Sequence, residues 1–177
     1  MKDKVSWAIV TPLSLGLFIS YGFVIKKYLD GDSSPWVGIE GTRRNIYYAF
    51  QILAVLGGLA TIIFWSISPP ELGIMSIKNV RYLTLVSLIT MAIIWSVGIL
   101  RENATATIIG IIGTAIAGIL LFAGAMEDGP TNQPRDKHIW IPMVGTLFLT
   151  IVVVILDGVG WLSRYIVQLK TPIENSN

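Results

Sequence analysis

The sequence predicts an all-α protein: a polytopic transmembrane bundle of five helices, forming a single domain over residues 1–177. Three observations carry that prediction. Of the residues, 53% are hydrophobic and 14% charged, whereas a soluble domain carries about a quarter charged. Mean hydropathy is +0.68. The apolar residues fall in long blocks, and a helix needs roughly 20 of them to cross ~30 Å of hydrocarbon.

The first block, residues 7–25, ends at Lys26 and Lys27. Its early lysines and the small residues Ser20 and Gly22 resemble a signal peptide. The apolar run continues through Phe23, Val24 and Ile25, so a retained first helix is expected, loosened at Pro12. The second block, residues 46–67, is entered through "TRRN" and stopped by "SPPE". Blocks three and four, residues 80–100 and 104–126, are separated only by "REN", which predicts a tight antiparallel hairpin. The fifth, residues 139–162, has an ambiguous end. Gly158 and Gly160 are poor helix interiors and good C-terminal caps. A break there makes "WLSRYIVQLK" a short interfacial C-terminal helix; otherwise the apolar register runs on to Tyr165.

An odd number of spans places the termini on opposite sides, here side A for the N-terminus and side B for the C-terminus. Basic residues are nearly balanced between them. The pairs Lys26–Lys27 and Arg43–Arg44 lie close to helix ends, a lean toward side B, and the C-terminus, being cytoplasmic. Trp and Tyr favour the headgroup level. That reading puts Trp7, Trp65, Tyr82 and Trp140 at side A, and Tyr28, Tyr47, Tyr48, Trp95, Trp161 and Tyr165 at side B.

Small residues predict how the helices meet, because close backbone approach drives association in lipid. In the fourth span Gly110, Thr114 and Gly118 form one stripe, and Gly113, Ala117 and Gly124 a neighbouring one. In the second, Ala54 and Gly58 form a face beside Gly57 and Thr61. Packing within the bundle is the first expectation, and a homo- or hetero-oligomer contact the alternative.

Chemistry is sparse. With no cysteine there is no disulfide, thiolate nucleophile or cysteine-based metal site. A net charge of +2, without a basic run, gives no sign of a nucleic-acid partner. Phosphate loop, nucleophile elbow, HExxH and paired intramembrane carboxylates are all missing from the sequence. His138, the single histidine, sits in the polar loop "MEDGPTNQPRDKH" with no ligand spacing around it. The loop at residues 30–41 begins with Asp30 and Asp32 like a calcium loop, but Pro35 stands where glycine is required. No cofactor or metal is expected.

Asp157 is the one acid inside a long apolar run, and an ionisable residue within a span is a functional-site hypothesis by default. Thr146, Thr150, Val153, Asp157, Trp161 and Arg164 lie three or four residues apart, hence on one helix face. Gln51, Arg101 and Arg164 share its end of the bundle and are its candidate partners. At ~1.5 Å per residue, Asp157 is ~3–12 Å inside the side-B edge, depending on where the helix begins and ends.

The leading functional expectation is a non-catalytic membrane subunit, assembly partner or hydrophobic-ligand-binding bundle. Its partners are the lipid bilayer and other membrane subunits. The alternative is a proton or small-ion channel or transporter using Asp157, and a lesser one a lipid-modifying membrane enzyme.

Overall fold

The computed structural model describes residues 4–29, 41–71, 73–127 and 140–170; side chains are described from residue 8 to 27 and up to residue 167 within the first and last of these. His138, Asp30 and Asp32 lie outside the described residues, as do the side chains of Trp7 and Tyr28.

Helices follow the apolar blocks. They are α1 (Lys4–Leu29), α2 (Gly41–Ile67), α3 (Lys78–Leu100), α4 (Ala104–Glu127), α5 (Trp140–Thr150) and α6 (Leu162–Lys170), with a 3₁₀ turn at Ile74–Ser76. A π-helical segment, Ile151–Trp161, joins α5 to α6 without interruption, so these three pieces are one fifth helix. Among the described residues, five helices are long and apolar enough to cross a membrane. α1 continues past Pro12 without a break in the helix.

Local chemistry sets the ends. The residues after α2 include Pro69 and Pro70, which lack the N–H a further turn needs. Between α3 and α4, the Asn103 N–H bonds the Gly98 carbonyl and the Glu102 N–H bonds the Ile99 carbonyl. That pair is a Schellman turn, with Glu102 in the left-handed position at φ 54° that glycine usually takes. Asn103 Oδ1 then accepts the Ala106 N–H and caps α4.

Packing runs α1, α3, α4, fifth helix, α2. α1 lies on α3, α3 on α4, α4 on α5 and the π segment, and α2 on α5. Two buried apolar clusters mark the ends. The side-A cluster gathers Trp65, Met75, Leu85, Leu88 and Leu121. The side-B cluster gathers Val24, Tyr47, Trp95, Ile99, Ile111 and Trp161.

The small-residue faces are real contacts, but their partition differs from the expected stripes. A side chain at Gly110 would strike the Trp95 backbone, and one at Gly113 would lie 2.6 Å from Met91 Cγ, so both face α3. Gly118 instead faces Val153 and Thr150 of the fifth helix. Eight residues of α-helix turn the face by about 80°, which carries Gly118 onto the other neighbour. Thr114 and Ala117 are buried between the two. On α2, Ala54 is buried. Gly58 is not a packing residue, because a side chain there would meet nothing within 4 Å. Gly57, one position round the helix, makes the close approach: its missing Cβ would stand 2.7 Å from the Gly145 carbonyl oxygen of α5.

Two further expectations are corrected. Trp65, Trp95, Trp161 and Tyr47 lie near helix ends but point inward, with Trp161 at 0% exposure. Their large apolar rings fill the bundle ends, where packing outweighs the headgroup preference. Trp140, at 55%, is exposed. Gly158 and Gly160 do not end the fifth helix. A Cβ on Gly158 would lie 3.1 Å from the Val153 carbonyl oxygen, and one on Gly160 would lie 3.3 Å from that of Ile155. Both carbonyls are five residues earlier. Glycine removes the crowding that the wider i→i+5 winding would impose, and the β-branched run Ile151–Ile155 disfavours the tighter winding.

Candidate functional site

Asp157 is carried by the π segment at 8% exposure, inside the bundle. Beyond it, residues 158–167 remain helical within the fifth candidate span, Trp140–Val167. The side chain therefore sits at no helix terminus. The backbone is π-wound at the acid itself, with the Leu162 N–H bonding the Asp157 carbonyl. π-turns are concentrated at functional sites, since they re-aim one side chain without ending a helix.

Gln51 reaches it from α2: Nε2 donates to Asp157 Oδ2 at 2.9 Å. One turn nearer the α2 N-terminus, the Tyr47 hydroxyl donates to the Leu156 carbonyl at 2.8 Å. Gly160 makes room for that hydroxyl, since a Cβ there would stand 2.6 Å from it. The fifth helix is thus bound to α2 by two hydrogen bonds beside the acid. On its opposite flank, Thr150 Oγ1 donates to the Gly118 carbonyl of α4 at 3.0 Å. Most other buried hydroxyls bond back to their own helix, as Thr114 does to Gly110 and Thr146 to Pro142.

The carboxyl borders a small cavity of about 20 Å³, which Tyr21, Trp95, Ile111, Thr114 and Val153 help to line. One water needs ~10–15 Å³ by this measure, so the space suits a single water and nothing larger. α1, α3, α4 and the π segment form its walls, and α2 supplies Gln51. All five helices therefore converge on Asp157. Rings close the side-B end: Trp95 meets Tyr21 at 5.3 Å and Trp161 edge-on at 6.5 Å, and Trp161 stacks on Tyr165 at 4.7 Å. The buried indole N–H of Trp161 has no acceptor among the described residues.

Of the candidate partners, Gln51 is brought into direct contact. Arg101 is not part of this cluster: it is exposed in the α3–α4 turn, where its backbone closes α3. The turn that makes the hairpin tight also points this side chain outward. Arg164, two turns beyond Asp157, is exposed and lines a separate groove of about 150 Å³ with Arg43, Ile46, Tyr47 and Gly160. The expected face holds otherwise, with Thr146, Val153, Asp157 and Trp161 all buried. Tyr21 was not legible as a site residue, and Thr114 was legible only as part of a packing stripe; the packing of α1 and α4 brings both to the cavity.

Fold and site together fit an integral, multi-pass membrane protein, a five-helix bundle with one carboxyl at its interior crossing. No family model, curated protein or solved structure matches the chain.

Proposed function

We propose that this protein is a non-catalytic membrane bundle that handles protons through Asp157. The observation that carries the reading is the placement of that carboxyl, buried where five helices meet and bordering a cavity sized for one water. Holding a charge in such a place costs several kcal/mol, and proton uptake by the carboxyl removes it. The cavity is too small for a hydrated ion, which favours a proton over a larger cargo. Gln51 orients the carboxyl, and Tyr21 and Thr114 line the same cavity. The test is proton flux into liposomes under an imposed pH gradient, read by an entrapped pH dye. Asp157→Asn is expected to abolish the protein-dependent flux while eluting as a monodisperse species. An unchanged rate in that variant overturns the proposal.

A second reading, a subunit of a larger membrane assembly, is supported by α1. That helix packs chiefly on α3 and exposes Leu15, Phe18, Ile19 and Phe23. Such a row suits a neighbouring subunit as well as lipid. Cross-linking from residue 19 in native membranes would show a discrete partner band, and its absence alongside monomer in mild detergent would remove this reading.

A further inference from the structure

We infer that the π segment is a two-state switch: it stays π-wound while Asp157 is ionised and rewinds to α when the carboxyl takes up a proton. This switch rests on the proton-handling reading of Asp157 and supplies the motion that such handling needs. The carboxyl is 8% exposed and borders space for one water. A group so enclosed exchanges protons with both membrane faces only if it moves.

The winding is the element able to move it. π winding is ordinarily confined to single turns, yet here it covers the 11 residues Ile151–Trp161. Backbone bonding barely distinguishes the two windings, since each N–H finds a carbonyl either four or five residues back. Side chains decide. The β-branched run from Ile151 to Ile155 favours the wider turn. From α2, the Tyr47 hydroxyl holds the Leu156 carbonyl in that register at 2.8 Å. Against it stands Trp161, whose indole N–H is buried at 0% exposure with no acceptor among the described residues. An orphaned donor of that kind is a cost the present winding carries. With so few opposing terms, one hydrogen bond can tip the balance.

Gln51 supplies that bond, its Nε2 donating to Asp157 Oδ2 at 2.9 Å. To a carboxylate such a bond is roughly twice as strong as to a neutral acid. The ionised carboxyl is therefore held against α2, and proton uptake loosens it. An α-helix advances about 100° per residue, more than the wider π turn does, so rewinding turns residue 157 away from Gln51. Thr150 Oγ1, bonded to the Gly118 carbonyl at 3.0 Å, fixes the start of the segment. The rotation then falls on Asp157 and the residues after it. The other titratable groups around the carboxyl are Tyr21 of α1, Tyr47 of α2 and Arg164, two turns along its own helix. The α3 and α4 residues lining its cavity carry no charge.

The experiment measures distances between nitroxide labels by pulsed EPR in lipid nanodiscs. The chain has no cysteine, so labels attach only where one is introduced. Leu147→Cys/Val167→Cys, at two exposed positions, brackets the segment. Leu83→Cys/Val97→Cys, at exposed positions on α3, is the control. A π turn holds about one residue more than an α turn, so rewinding lengthens the helix by ~3 Å. The bracketing distance is expected to be short in alkaline buffer and to grow by about 3 Å in acid buffer, with the control constant. With Asp157→Asn it should be long in both. Gly158→Ala alters no charge, and its Cβ would stand 3.1 Å from the Val153 carbonyl oxygen that π winding brings close. That variant too should lengthen the alkaline distance. A parent with one distance in both buffers, or Asp157→Asn equal to the alkaline parent, overturns the switch. A change shared by the control pair is a general loosening and overturns it as well. Flux is read separately. Flux lost in Asp157→Asn with a constant distance keeps transport and overturns the switch. A distance that responds to Asp157 beside a flux that does not keeps the switch and removes transport.

Discussion

Gln51 Nε2 donates to Asp157 Oδ2 at 2.9 Å, linking α2 to the π segment. The bond serves both partners, since a buried amide and a buried carboxyl each cost free energy without one. Gln51→Leu removes the donor and leaves the acid, so it is expected to lower stability by about 1–3 kcal/mol. Asp157→Asn keeps an acceptor oxygen for Gln51 and should cost less than ~1.5 kcal/mol. Unfolding in mixed detergent micelles measures both. A neutral Gln51→Leu would show that the bond contributes nothing to the folded state.

Neighbouring glycines on α2 should behave in opposite ways. Gly57 lies against the Gly145 backbone, and Gly58 has open space around it. Gly57→Ala forces α2 and α5 apart and is expected to cost about 1–3 kcal/mol. Gly58→Ala only adds helix preference, a gain of up to ~1 kcal/mol. Gly145→Ala should resemble Gly57→Ala, because its Cβ would press on Gly57 and on Thr61 Oγ1. Equal unfolding midpoints for the first two variants would contradict the packing of α2 on α5.

This contrast shows where sequence reasoning reaches its limit. The five helices were legible because long apolar runs leave no other structure able to satisfy the backbone in lipid. That small residues mediate contact was legible too. Which glycine of the Gly57–Gly58 pair faces inward was not, since rotation about the helix axis is set by the neighbour and not by the run itself. The same holds for Asp157. Its position in an apolar run marked it, and Gln51 was among its candidates, but Arg101 was equally plausible on topology alone. The π winding was not legible, because a glycine pair also reads as a stop signal in an α-helix, and a change of winding leaves the composition untouched.

The α3–α4 turn offers a test of local chemistry. Asn103→Ala removes the α4 cap and is expected to cost about 1 kcal/mol. Lys27 Nζ contacts Glu102 Oε1 at 3.0 Å, between side chains 35% and 83% exposed. An ion pair so exposed contributes ~0–1 kcal/mol and weakens with salt. Glu102→Gly loses that pair but relieves a left-handed residue, worth roughly 1–2 kcal/mol. The variant should therefore equal or exceed the parent in stability, with the larger advantage at high salt. A clear loss at every salt concentration would contradict the balance.

Tyr47 and Gly160 provide the sharpest test of how α2 seats against the π segment. The Tyr47 hydroxyl bonds the Leu156 carbonyl at 2.8 Å, in space that Gly160 leaves open. Tyr47→Phe removes one hydrogen bond and should cost about 0.5–1.5 kcal/mol. Gly160→Ala places a methyl group where the hydroxyl stands, at an expected cost of about 1–3 kcal/mol. With the hydroxyl already absent, the methyl group has less to displace. The double variant should then be less destabilised than the sum of the singles by at least ~0.5 kcal/mol, the coupling seen between residues in contact. Strict additivity would place the two groups apart, and with them the seating of α2 beside Asp157.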